Sequence, residues 1–241
     1  MNIILFEDIP FFPRNDERYQ HIKKILKKNA GDSFFAGKVN GDSGTARITE
    51  FDEKGLTFEF ISEQPCRPLY PVILVIGIPR PIQLKRLLRD VSSLGVSAVY
   101  LTGTELGEKS YRESHLFNTD AVRTTLIEGA MQSGFTALPE CEVFPSVAGV
   151  TGGIAERFAE AVPVLLDTVS PVCTLNDFKL PSLSEAKPLI LAVGSERGWT
   201  GAERNLFYSA GYTVCSMGPR ILRTETAAVA GLAVILAKIW S

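Results

Sequence analysis

Cysteine is scarce in this sequence, and what there is lies scattered. Cys66, Cys141, Cys173 and Cys215 never fall into a C-x-x-C pair, which argues against a zinc site or a disulfide framework and fits a reducing cytosol. Histidine is scarcer still. His21 and His115 sit in different halves without metal-ligand spacing, so each reads as a surface or packing residue and no metal is expected. Long apolar runs are missing as well. Asp8, Arg14 and Asp16 interrupt the early apolar residues, which excludes a signal peptide at that point. The smoothest stretch, Ala227 to Ala237, is shorter than the ~20 residues that a bilayer requires. The expectation is a soluble, cytoplasmic protein with no membrane partner. Nor is there an excess of one charge. The formal net charge is -2, so a nucleic-acid partner has to be met by a local basic patch. No G-x-G-x-x-G follows the strand in "VIGIPRP", and neither a Walker A motif nor a G-x-S-x-G elbow occurs, which weakens dinucleotide, nucleotide-hydrolase and serine-hydrolase readings.

What is there divides into two halves. The 241 residues suffice for one large or two modest domains. Residues 1–67 read as short β pieces such as Ser33-Phe34-Phe35-Ala36 and Leu56-Thr57-Phe58-Glu59-Phe60, separated by turn signals at Gly31-Asp32, Asn40-Gly41-Asp42 and Lys54-Gly55. Turns this close suggest a small barrel or sandwich. One helical stretch, Arg18 to Lys28, carries five basic residues and no acid after Arg18; Ile22, Ile25 and Leu26 are expected to turn inward. From residue 71 to 241 the texture changes. Runs at 72–78, 97–101, 189–193 and 212–216 look like buried strands, alternating with helical patterns at 82–94, 119–133 and 201–210. That alternation predicts an α/β domain with a mainly parallel sheet. The proline-bearing segment Cys66–Pro71 reads as the linker.

Two loops of the second half draw the eye. In "LAVGSERGWTGAE" (191–203) a buried strand runs into Gly194, and Gly198 precedes a helix with a capping box at Thr200 and Glu203. Such a loop is either a tight, well-capped turn or a site offering free amides to a ligand. In "MGPRILRTETAAVAGL" (217–232) Thr224 is expected to cap the last helix, with Glu225 in its first turn. That helix is apolar nearly all round, with Ala227, Ala230, Gly231 and Ala233 allowing close approach, so it is expected to be buried on both sides. Arg220 and Arg223 have no such structural explanation; an anion or acidic partner and a structural salt bridge are the two readings.

Together the two loops resemble the SPOUT class of methyltransferases, whose C-terminal chain forms a deep trefoil knot. They are most similar to the small-subunit ribosomal RNA uridine-N3 methyltransferases, with I-G-P-E-G-G-[FW]-[ST] followed by L-G-x-R-I-L-R-T-E-T-A. Here Gly218 and the run Arg220 to Ala227 match every fixed position after the leucine, which is Met217. "LGV" at 94–96, "EGAMQSG" at 128–134 and Arg14 with "HIKKILKKNAGD" agree in order along the chain. The last of these resembles a PUA-like RNA-binding barrel. The chain departs from the pattern where Ser195-Glu196-Arg197-Gly198 replaces P-E-G-G, where Ser93 replaces an acid, where Phe135 or Thr136 replaces an arginine, and at Lys27. If Arg197 takes the place of a glycine with positive φ, the loop is expected to be strained or rearranged.

The resemblance implies a PUA-like β-barrel at 1–67 and a knotted SPOUT domain at 71–241 that binds S-adenosylmethionine. By carry-over the cofactor lies against Leu101, Thr102 and Gly103, against Val193, Gly194, Ser195 and Gly198, and against Met217, Gly218, Ile221, Leu222 and Thr224. The acceptor is a uridine N3 in ribosomal RNA or the assembled small subunit. Arginines aimed at the flanking carbonyl oxygens stabilise the charge that develops there, which makes Arg220 and Arg223 the catalytic candidates, with Glu225 either orienting one of them or serving the helix dipole. Arg14, Lys23, Lys24, Lys27 and Lys28 are the candidate RNA contacts. The resemblance further implies a homodimer and no metal. A SPOUT enzyme with another RNA target or acceptor atom, and a non-catalytic RNA-binding knot, are the alternatives.

Overall fold

The computed structural model describes residues 2–112 and 119–240; His115 lies outside them. The chain forms two compact units, Met1–Pro68 with Ile127–Leu138, and Leu69–Leu126 with Pro139–Ser241. The first division point falls inside the proline-bearing linker. The return of residues 127–138 to the first unit is not visible in the sequence, because helical periodicity does not say which core a helix joins.

The first unit contains β1 (Ile4–Phe6), β2 (Phe11–Pro13), α1 (Glu17–Lys24), β3 (Ser33–Lys38), β4 (Ser43–Phe51) and β5 (Gly55–Gln64). They make a curled five-stranded sheet in the order β1-β3-β4-β5-β2. β1 runs parallel to β3, and the other pairings are antiparallel. Register shifts between Ser43 and Gly44 and between Ile48 and Glu50 interrupt the β4–β5 ladder, and such irregularities bend a strand. Phe6, Phe12, Phe34 and Phe58 fill the concave side together with Tyr19 and Ile22 of α1. Phe58 meets Phe6 edge-on at 5.2 Å.

α1 is shorter than the sequence suggests. Asp16 caps it by accepting from Arg18 N–H at 2.8 Å, and the helix stops at Lys24. The amides of Ile25 and Leu26 both return to the His21 carbonyl, and Lys27 turns left-handed at φ 52°. That turn carries Ile25 and Leu26 outward, at 67% and 37% exposure, so of the three apolar residues only Ile22 is buried.

The second unit holds β6 (Tyr70–Gly77), α2 (Pro81–Leu94), β7 (Val96–Thr102), α3 (Lys109–Arg112), most of the way to α4 (Thr119–Ser133), which runs on into the first unit, β8 (Glu140–Phe144), α5 (Val147–Arg157), β9 (Val162–Leu166), β10 (Cys173–Thr174), β11 (Leu189–Val193), α6 (Gly201–Ser209), β12 (Thr213–Ser216) and α7 (Thr224–Trp240). Its sheet has seven strands in the order β10-β12-β9-β11-β6-β7-β8, and every pairing is parallel. Both faces are covered, as parallel sheets require. Alternate residues of β6 divide between them. Val72, Leu74 and Ile76 join α2 and α7 residues such as Leu84, Leu88, Leu232 and Ile235. Ile73 and Val75 join Val150 and Ile154 of α5 and Phe207 of α6. α2 begins with Pro81 and ends at Gly95 with φ 79°, the usual helix punctuation.

α7 departs from the expected double burial. Ala228, Gly231, Leu232, Ile235 and Leu236 are buried, whereas Thr226, Ala233, Ala237 and Trp240 are exposed. One face meets the sheet, and the other is uncovered within the chain. The cysteines hold a second difference. Far apart in sequence, Cys173 and Cys215 face each other on adjacent strands with their Sγ atoms 3.6 Å apart; all four cysteines are free. No helix among the described residues is long and apolar enough to cross a membrane.

Candidate functional site

Because the strands are parallel, their carboxyl ends share one edge of the sheet, and open α/β sheets bind ligands there. The order places β9, β11 and β12 side by side or one strand apart, and all three deliver loops to one cleft. Leu166, Asp167 and Thr168 arrive from β9, Val193 to Glu196 with Gly198 and Trp199 from β11, and Met217 from β12. Arg220, Ile221, Leu222, Thr224 and Ala227 complete the lining.

The β11 loop owes its shape to local bonds. Gly198 N–H donates to the Ser195 carbonyl at 2.8 Å. Gly198 holds the left-handed conformation at φ 69° with open space where a Cβ would stand. Arg197 is not among the residues of positive φ, so the strain expected of it does not arise. The left-handed turn falls on the glycine this chain keeps. Arg197 instead reaches sideways to Glu108 at 3.1 Å. A Cβ on Gly194 would stand 3.0 Å from Gly198 Cα, so a side chain there would crowd the loop backbone.

Beyond the loop, the capping box forms as the sequence suggests, with Thr200 and Glu203 accepting from each other's amides. Glu203 does more than cap. It is only 3% exposed, and its second oxygen accepts from the Glu105 amide at 2.9 Å, which holds the segment after β7 to α6. Thr224 differs from its expected role. It opens α7 without capping it, since the first intrahelical bond runs from Ala227 N–H to the Arg223 carbonyl. Its hydroxyl donates to the Gly194 carbonyl at 3.0 Å.

A second cavity adjoins the cleft and shares Glu196, Ile221 and Leu222 with it; Arg80, Gln83, Arg223 and Glu225 form the rest. The two arginines of the R-I-L-R run are therefore divided. Arg220 lines the cleft and Arg223 the neighbouring cavity. Among the described residues, no side-chain hydrogen bond or ion pair engages Arg80, Arg220 or Arg223, nor does one join Glu225 to either arginine. Asp167, in contrast, has both oxygens engaged, one by Arg204 at 2.7 Å and the other by the amides of Thr168 and Val169.

Of the residues named from the sequence, Val193, Gly194, Ser195, Gly198, Met217, Ile221, Leu222 and Thr224 come together on the cleft. Gly218, with φ 98°, shapes the turn before it. Leu101, Thr102 and Gly103 are buried at the end of β7 and lie outside its lining. Sequence reasoning missed Asp167, Trp199 and Arg80. Asp167 follows β9, whose apolar run "VPVLL" ahead of an acid was the available signal.

Apolar walls from Leu166, Val193, Met217 and Leu222, with open glycine at Gly198, suit a flat heterocycle, and Arg220 and Glu196 add charge at the mouth. S-adenosylmethionine combines such a heterocycle with charged groups, so the lining fits it. Among the described residues no group of three or more His, Cys, Asp and Glu is placed to hold a metal ion.

In the first unit, Arg14, Lys23, Lys27 and Lys28 surround a separate depression with Tyr19, Asn29, Phe51, Asp52 and Glu53. Lys24 lies outside it. The Lys23 ammonium sits 5.6 Å above the Tyr19 ring, and Arg14 is 3.8 Å from Glu53 in an exposed pair. Tyr19 is buried and Phe51 half-buried, so what the depression offers a nucleic-acid backbone is its cations.

The family model for the RNA methyltransferase domain matches residues 65–236. Ribosomal RNA small subunit methyltransferase E of Treponema pallidum (strain Nichols) is 45% identical over 98% of this chain and 91% of its own length. Ribosomal RNA small subunit methyltransferase E 1 of Borreliella burgdorferi is 30% identical over 93% of this chain and 92% of its own. Among solved structures, a ribosomal RNA small subunit methyltransferase E from Neisseria gonorrhoeae bound to S-adenosyl methionine superposes with a TM-score of 0.80 at 21% identity, covering 99% of this chain and 98% of that one.

Proposed function

Since the chain belongs to the ribosomal RNA small subunit methyltransferase E family, we propose that it transfers a methyl group from S-adenosylmethionine to N3 of a uridine in small-subunit ribosomal RNA. The observation that carries this reading is the paired arrangement at the sheet edge: an apolar, glycine-bearing cleft adjoins a cavity lined by Arg80 and Arg223, whose side chains have no hydrogen-bond or ion-pair partner among the described residues. The Neisseria protein of the same fold holds S-adenosyl methionine, which supports the same ligand here.

The bound cofactor supplies an electrophilic methyl group. The chain's own residues do the rest. Val193, Gly194, Ser195, Gly198, Met217, Gly218, Ile221, Leu222 and Thr224 hold the cofactor, with Leu101, Thr102 and Gly103 supporting the β7 end of the site. Arg220 and Arg223 donate to the uracil carbonyl oxygens, where negative charge grows as N3 loses its proton; donors preset for that charge lower the barrier. Glu225, in the first turn of α7, sets its charge against the helix dipole and lines the cavity beside Arg223.

The same reading assigns a SPOUT trefoil knot to residues 71–241 and a PUA-like barrel to residues 1–67. Arg14, Lys23, Lys27 and Lys28, which share one depression, hold RNA phosphates. The protein acts in the cytoplasm as a homodimer, supported by the uncovered face of α7 with its exposed Ala233, Ala237 and Trp240. The test uses small ribosomal subunits from cells lacking the uridine-N3 modification, incubated with the protein and S-adenosylmethionine. Mass spectrometry of the digested RNA is expected to show 3-methyluridine. A different methylated nucleoside, or none, overturns the assignment.

A further inference from the structure

The proposed reaction leaves one step without an agent, the removal of the proton from uridine N3. We infer that the carboxylate of Glu196 takes it, and that the cavity lined by Arg80, Gln83, Arg223 and Glu225 receives the uracil ring. This inference rests on the proposed function.

The chemistry of the lining selects the ligand. A uracil presents acceptor, donor, acceptor along its reacting edge: carbonyl, N3–H, carbonyl. The cavity offers the complementary groups: guanidinium donors from Arg80 and Arg223, with Arg220 on the adjoining cleft, and the carboxylates of Glu196 and Glu225 as acceptors. A phosphate group would meet two negative charges there, whereas a neutral ring with one N–H meets an acceptor for it.

Three carboxylates line the cleft or the cavity: Asp167, Glu196 and Glu225. Asp167 is spent on Arg204 and two amides. Glu225 lines the cavity alone. Glu196 lines both spaces, on the boundary that a methyl donor and its acceptor must share. Its Oε1 accepts from the Arg80 amide at 2.9 Å, which fixes the carboxylate and leaves Oε2 for the proton. Ile221 marks the same boundary; it lines both spaces and is 88% exposed, an apolar surface on which a base can lie.

In the step itself, Glu196 accepts the N3 proton, the N3 electron pair forms a bond to the methyl carbon, and the methyl–sulfur bond breaks with its electrons remaining on sulfur. The products are N3-methylated uridine, S-adenosylhomocysteine and a carboxylic acid that releases its proton to solvent. The charged groups facing Glu196 are Arg80, Arg223 and Glu225 across the cavity and Arg220 and Asp167 across the cleft.

The test compares wild type with Glu196→Gln, Glu196→Asp and Glu225→Gln in single-turnover methylation of unmodified small subunits from about pH 6 to about pH 9, with S-adenosylhomocysteine affinity measured by calorimetry. Glutamine still accepts from the Arg80 amide, so affinity is expected to stay at the wild-type value while the rate falls about 100-fold. The residual rate is expected to climb in proportion to hydroxide, a dependence wild type lacks, and aspartate is expected to restore part of the loss. A Glu196→Gln enzyme with the wild-type rate and pH profile overturns the inference. So does a parallel loss of affinity, which indicates a structural role, or a hydroxide dependence that appears in Glu225→Gln instead. Wild-type protein that transfers no methyl group overturns the proposed function, and this inference with it.

Discussion

The hydroxyl of Thr224 donates to the carbonyl of Gly194 across 3.0 Å, joining the first residue of α7 to the loop that follows β11. One hydrogen bond thus ties together two cleft-lining segments 30 residues apart. Thr224→Val keeps the shape and removes the donor. Loss of about 1 kcal/mol is expected, since a half-buried carbonyl loses its partner, together with weaker S-adenosylmethionine binding. Urea unfolding and calorimetry measure the two effects.

The separation of Arg220 from Arg223 predicts unequal phenotypes. Arg223 lines only the cavity, so Arg223→Ala is expected to lower the methylation rate about 100-fold and to leave cofactor affinity intact. Arg220 lines the cleft, and Arg220→Ala is expected to lower both. Full turnover with unchanged affinity in Arg220→Ala would falsify its assigned role.

On the first unit, the depression around Tyr19 and Phe51 predicts which lysines matter. Replacing Lys23, Lys27 and Lys28 together by alanine is expected to weaken RNA binding and to reduce the slope of log affinity against log salt by roughly 2, three phosphate contacts at about 0.7 each. Lys24→Ala, outside the depression, is expected to leave the slope unchanged. Fluorescence titration of the RNA at several salt concentrations distinguishes them.

Burial, with the adjacent Glu142 and Glu140 adding to it, pushes the Cys141 thiol up to about 12. Burial and the facing Cys173 do the same for Cys215, also to about 12. Both are expected to resist iodoacetamide near neutral pH, because the thiolate is the nucleophile; mass spectrometry of the labelled protein reads this directly. The sign of the stability effect follows. As pH rises past the ordinary thiol value of 9.0, the unfolded chain loses these protons and the folded chain keeps them. Stability is expected to fall between about pH 9 and about pH 12, and chemical denaturation across that range tests it.

The strands at the heart of the sheet are readable from sequence because parallel strands buried on two faces are unbroken apolar runs, as "LILAV" shows. β9 is harder, since Pro163 sits inside it, and β10 has only two residues. With β9 unread, Asp167 had no place in the site. The R-I-L-R-T-E-T-A run announces the corner but not the division of its arginines between two spaces, which depends on how the segment turns after Gly218. Arg80 escapes for another reason. It joins the site only because β6 and β11 are neighbours, and pairing between strands more than 100 residues apart leaves no local trace. α1 failed at its end, where a left-handed lysine did what a glycine usually does.

Position 197 closes the account of the β11 loop. Gly198 alone bears the left-handed turn, so its neighbour is released from any backbone duty and carries a long cation that grips Glu108 across solvent. An exposed pair of this kind contributes at most about 1 kcal/mol, and it weakens as ions accumulate around it, the screening length shrinking from about 30 Å in dilute buffer to about 3 Å in molar salt. The Thr224 and Glu203 bonds feel little of that. The residues that line the cleft are therefore held by salt-insensitive bonds, while the outward side of the same loop is held by a tether that loosens with the ionic strength of the medium.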